Sequence, residues 1–203
     1  MNHKYALLLL LSWVALFPSS LWAQPTNSDY QRALRDYFSA EPAHCLGVKQ
    51  WPVVYSHAQD APWITGRMQA LVDAGLARET RQGENIVYQL TPEAEPMWRT
   101  AGDLCFGRME LNSIITVEPV AQGINAVYFT YRLTQLAPWA NNASLRFAFS
   151  EADNLIAGST KTRYSATFRI TKQGKLMLHS PPIPGRAGFL TISHRRGYVF
   201  PAR

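Results

Sequence analysis

Residues 63–90 read WITGRMQALVDAGLARETRQGENIVYQL, and this stretch decides the fold. Ile64, Met68, Leu71, Val72 and Leu76 recur at helical spacing and predict one apolar helix face. Pro62 suits the first turn, where its missing N–H costs nothing. Gly75 suits a left-handed C-terminal cap. Leu76 to Arg81 and Ile86 to Leu90 then predict two strands joined through Gln82-Gly83-Glu84-Asn85, with Gly83 and Asn85 suited to positive φ. Thr91-Pro92-Glu93 closes the second strand and opens a further helical turn.

The order of these elements carries a resemblance. The residues concerned are Leu71-Val72-Asp73-Ala74-Gly75-Leu76, the short turn at Arg81 to Asn85, and Tyr88-Gln89-Leu90-Thr91-Pro92-Glu93. Over residues 63–93 they resemble the helix-plus-wing half of a winged-helix domain. The chain departs from bacterial winged-helix regulators at Ala94, where those often carry glycine. The resemblance implies a helix against a hairpin. A DNA-reading helix needs several basic or amide side chains on its exposed face, and residues 63–75 offer only Arg67 and Gln69. No nucleic-acid partner is expected.

Upstream, residues 1–23 have the organisation of a secretory signal. Lys4 supplies the positive start, Ala6 to Phe17 the apolar run, and Leu21-Trp22-Ala23 the small-residue end, so cleavage is expected after Ala23. A run of twelve residues is too short to span a bilayer. The expected location is periplasmic or secreted. The remaining 180 residues suffice for one domain or two small ones. Ser28 and Gln31 form a capping-box pattern for a helix over 28–39, with Tyr30, Leu34, Tyr37 and Phe38 on its core face. Pro52 makes the extended segment Leu46 to Tyr55 an edge or irregular strand. Cys45 and Cys105 are the two cysteines of the chain, and an even count in an exported protein predicts a disulfide. Closing that loop stabilises a fold by about 4 kcal/mol in the chain-entropy model.

Downstream of Cys105 the pattern changes to two-residue alternation. Asn125 to Leu133 is the clearest strand, with Val127, Phe129, Tyr131 and Leu133 on one face. Leu145 to Phe149 fits a strand or a short helix. Tyr164 to Thr171 and Lys175 to His179 predict a hairpin around Gln173-Gly174, and Leu190 to Ser193 with Tyr198 to Phe200 a last strand pair. The expected fold class is α+β: a degenerate winged-helix-like unit over 24–107, then a small antiparallel β-sheet or sandwich over 108–203.

Charge divides the chain. Residues 24–153 hold ten basic and fourteen acidic side chains, whereas no acidic residue follows Asp153. The late cations Lys161, Arg163, Arg169, Lys172, Lys175, Arg186, Arg195 and Arg196, with Arg203, attract anions and are the candidate contacts for an acidic partner. Trp139, in a Pro-Trp-Ala loop, is a candidate contact residue or a lid over the core.

Catalytic signatures are missing. No Gly-x-Ser-x-Gly elbow occurs, Ser159-Thr160-Lys161 lacks the Ser-x-x-Lys spacing, and no two mature histidines fall within five residues of each other. No metal site and no cofactor are expected. The composition therefore suggests a non-enzymatic periplasmic binding or protein-interaction protein, of protective, resistance or immunity type. Its unknown partner is a protein or an anionic envelope component. One alternative is an envelope module holding anionic lipid or lipopolysaccharide through its basic half, in peripheral contact with the membrane. The other is an enzyme assembled from distant residues, with His57, His179 and His194 as its candidates.

Overall fold

A computed structural model describes residues 24–56 and 62–185 of the chain. The leader 1–23, His57, His194, Arg186, Arg195, Arg196 and the strand pair expected after residue 189 lie outside the described residues. The fold is α+β, built on two antiparallel sheets among those residues.

The five-stranded sheet runs in the order β1 (His44–Cys45), β5 (Cys105–Ala121), β6 (Ile124–Thr134), β7 (Arg163–Ile170) and β8 (Leu176–Pro184). The first helix, α1 (Asn27–Ala40), lies on it. Tyr30, Leu34 and Phe38 are one helix face, and they meet Leu111, Val127, Phe129, Ala166 and Phe168 from the sheet. The N-terminus of α1 is set by Thr26 rather than Ser28: the Asp29 carboxylate accepts from the Thr26 N–H at 2.9 Å and from its hydroxyl at 2.7 Å. Those bonds hold the Asp29 carboxyl below its ordinary range.

β6 alternates as its sequence demands on one side, with Val127, Phe129 and Tyr131 buried. Ala126 and Thr130, on the opposite side, are buried as well. Thr130 is held there by the Asn112 amide and the Ser113 hydroxyl, at 2.9 and 3.0 Å. β7 and β8 form the hairpin expected around Gln173-Gly174.

The three-stranded sheet has the order β2 (Val53–Ser56), β4 (Asn85–Leu90), β3 (Ala77–Gln82). β2 is an edge strand, in keeping with Pro52 one residue before it. Helix α2 (Pro62–Asp73) precedes β3. Its end is a Schellman-type cap: Leu76 N–H donates to Leu71 O at 2.9 Å, Gly75 N–H to Val72 O at 2.9 Å, and Gly75 has φ 72°. The hairpin turns through Gly83 at φ 61°, while Asn85 already belongs to the strand.

A short helix α3 (Glu95–Ala101) leads to Asp103, a buried carboxylate that organises its surroundings. It accepts from the backbone N–H groups of Gly47, Val48 and Leu104, at 3.0, 3.1 and 2.7 Å. Beside it Cys45 and Cys105 face each other across β1 and β5 and form the disulfide. The expected boundary at residue 107 falls inside β5, and α1 and β1 reach the five-stranded sheet from before it. Residues 145–149 resolve toward the helix: α4 (Ala143–Ala148) and α5 (Ser150–Gly158) follow a 3-10 turn at Pro138–Asn141. Leu145, Phe149 and Ala152 join the core of the α2 and three-stranded-sheet region.

Candidate functional site

α2 presents two neighbouring stripes. Ile64, Met68, Leu71 and Val72 enter the core. Trp63, Gly66, Arg67, Ala70 and Asp73, at steps of three and four, line an open groove instead. α4 supplies the opposite wall through Ser144, Phe147 and Ala148, with Ser150 at the start of α5. The groove has a volume of about 820 Å³.

Local chemistry fixes this geometry. Asn142 caps α4 by accepting from Leu145 N–H at 3.1 Å, and its amide donates to Asp73 O at 3.1 Å, tying the start of α4 to the end of α2. Leu145 and Phe149, four residues apart, point to the core. Phe147 lies about 200° around the helix from Leu145 and so points out. Its exposure is 92%, and that of Trp63 is 66%. Two large aromatic side chains on the rim of one concavity form the kind of patch that marks interaction sites rather than scattered surface residues. Small residues, Gly66, Ala70 and Ala148, line the groove with them.

Arg67 is the cation of this groove. Its guanidinium stacks over the Phe149 ring, 4.4 Å from the centroid. Its buried Nε has no acceptor, and no carboxylate among the described residues pairs with it. Asp73, farther along α2, accepts from the Gln69 amide at 3.2 Å. The contrast with another cavity, lined by Arg35, Arg108, Arg132 and Glu110, is informative. There Arg108 donates to Glu41 O at 2.6 Å and Arg132 pairs with Glu110 at 2.9 Å, so two of its three arginines are already engaged.

The late cations are not gathered into one pocket among the described residues. Lys161 and Arg163 stand at the start of β7, and Arg169, Lys172 and Lys175 at its far end and in the following turn. Arg163 and Arg169 share a sheet face six residues apart, about 20 Å along the strand. All five are exposed, and none pairs with a carboxylate among the described residues. Arg163 stacks over Tyr128 at 4.1 Å. Trp139 sits in the 3-10 turn and packs, half-buried, against the core shared by α2, the three-stranded sheet, α4 and α5. His179 is exposed on β8 and His44 half-buried in β1, where burial lowers its pKa. Among the described residues no three His, Cys, Asp or Glu side chains converge as metal ligands.

Sequence reading passed over Phe147 and gave Arg67 only a weak place as a DNA contact. The missing signal was available in Asn142: taken as a helix cap, it sets the phase of residues 143–148 and turns Phe147 outward. No known family model matches the chain, and no curated protein or solved structure shows significant similarity to it.

Proposed function

We propose that this protein is an exported, non-enzymatic binding or protein-interaction protein, with the α2–α4 groove as its recognition surface. The observation that carries this reading is the exposure of Trp63 and Phe147 on the rim of one concavity. Burying two such side chains against a partner removes several hundred Å² of apolar surface from water, and aromatic anchors of this type dominate binding energies. Export is supported by the signal-like residues 1–23, with cleavage after Ala23, and by the Cys45–Cys105 disulfide. No helix among the described residues is long and apolar enough to cross a membrane.

The test is comparative. The mature chain and a Trp63→Ala/Phe147→Ala double variant are used as baits in envelope extract. A species retained by the first and lost by the second supports the groove, whereas identical retention profiles, or none, count against it. A second reading is favoured by the five exposed cations of β7 and its turn, which have no carboxylate partner among the described residues. It makes the basic half a contact for anionic envelope lipid. Co-sedimentation with anionic vesicles that fades as salt rises supports it; binding indifferent to salt excludes it.

A further inference from the structure

Gly66 lies in the interior of α2, and a Cβ added there meets no atom within 4 Å. Helix-interior glycine is about 1 kcal/mol less favourable than alanine, and no close neighbour requires it here. What the glycine leaves is room along the groove, directly before Arg67. The groove thus combines two aromatic side chains, small lining residues and one guanidinium whose buried Nε has no acceptor. Because Arg67 lies flat against the buried Phe149 ring, a narrow group reaches it more readily than a broad protein face.

We infer that the groove binds a small amphipathic carboxylate. Its apolar body lies between Trp63 and Phe147 over Gly66, Ala70 and Ala148, and its carboxylate pairs with Arg67. The inference rests on the groove being the recognition surface and names the class of occupant. A volume of about 820 Å³ falls within the range of small-molecule sites. The anion is selected at Arg67, the one groove-lining cation, whose buried Nε lacks an acceptor; Asp73, the one groove-lining carboxylate, keeps its charge but lies six residues farther along α2, about 9 Å along the helix axis.

The experiment titrates the mature, disulfide-bonded chain with octanoate and, separately, with 1-octanol, both below micellar concentration. The Trp63 indole N–H signal in a nitrogen–proton correlation spectrum is the readout. Octanoate is expected to shift it saturably and to bind about tenfold or more tighter than octanol. Arg67→Gln is expected to erase that preference and leave octanol binding in place. Gly66→Leu, at a position open to solvent, is expected to remove both. Should Arg67→Gln fail to fold, salt reads the same charge in the wild-type chain: the preference narrows as salt rises, and a preference indifferent to salt overturns the inference.

Equal binding of the two probes, or a preference that survives Arg67→Gln, also overturns it. So does a Trp63 signal unmoved by octanoate, whether or not Phe147→Ala abolishes capture of a protein partner. A Phe147-dependent protein contact would in that case leave the proposed recognition surface standing. Failure of every ligand and partner to distinguish Phe147→Ala from wild type would remove both.

Discussion

Two helical regions of this molecule spend their aromatic side chains in opposite ways. On α1, Tyr30 and Phe38 lie under cover of the five-stranded sheet, edge-to-face with Phe168 and Phe129 at 5.6 and 5.8 Å. Around α2 and α4, Trp63 and Phe147 stand in solvent beside a core that Phe149 enters two residues later. Residue type does not separate these cases; helical phase does. Tyr30, Leu34 and Phe38 repeat every four residues and share a face, whereas Phe147 falls between the core positions Leu145 and Phe149. An aromatic out of phase with its own core stripe is the one that needs a functional account.

The largest expected effect tests that contrast directly. Phe129→Ala deletes a fully buried ring and should destabilise the fold by about 3–5 kcal/mol. Phe147→Ala should change stability by no more than about 0.5 kcal/mol, as an exposed substitution does. Urea unfolding of both variants, with the slope held constant, checks the pair. A costly Phe147→Ala would break the distinction, for it would mean that the ring is packed in solution.

The disulfide comes next. It closes a chain separation of 60 residues that contains α2 and the three-stranded sheet but not α1. Replacing Cys45 and Cys105 with serine should cost about 4 kcal/mol on the chain-entropy account. Hydrogen exchange should show the loss unevenly, with amides of α2 and β2–β4 losing protection before those of α1 and β6. Uniform loss would mean that the two regions open as one cooperative unit.

The regularities that depend on neighbours along the chain were legible. The β6 alternation, the Gly75 cap, the turns at Gly83 and Gly174, the α+β class and the Cys45–Cys105 pair all rest on periods, turn chemistry or a count of two. The α1 cap was misread because Thr26–Asp29 and Ser28–Gln31 offer the same three-residue spacing, and the carboxylate makes the stronger, charge-assisted bonds. Less accessible was anything fixed by distant pairing. That α1 packs on β6 and β7, over a hundred residues away for Phe168, depends on matched side-chain shapes rather than on any local period. The groove shared this obscurity. Leu145 to Phe149 is short enough that strand and helix both fit, and the choice between them decides whether Phe147 faces inward or out.

Tyr131 joins the comparison at the seam between the regions. Its hydroxyl donates to Leu155 O of α5 at 2.7 Å, and its ring meets Tyr164 edge-on at 5.1 Å. Gly158 permits this approach, since a Cβ there would press on the Tyr131 hydroxyl and on Thr162. Burial, with a smaller contribution from Tyr164, pushes the Tyr131 pKa up to about 12 from 10.0. The folded state thus retains this proton where the unfolded chain releases it. The contribution is complete below pH 10 and is lost as pH rises through about 12. A shift of that size corresponds to roughly 2–3 kcal/mol across the window. Urea midpoints at pH 9 and pH 11.5 measure it, and Tyr131→Phe should flatten the decline. A slope unchanged in that variant would assign the effect to the other tyrosines.

The smallest effect bears most directly on why the two regions differ. Gly66→Ala adds a methyl to an exposed helix-interior position with nothing in its way, and it should raise stability by about 0.5–1 kcal/mol. Nothing comparable is available on the inner face of α1, where Tyr30, Leu34 and Phe38 already fill the space against the sheet. If the substitution stabilises the chain and also weakens binding in the groove, the glycine exchanges helix stability for room, as expected of a position kept open for an occupant. If it stabilises without touching binding, the space at Gly66 has no part in recognition, and the rim aromatics alone would have to account for it. Melting temperature and the Trp63 signal, read on the same variant, separate these outcomes.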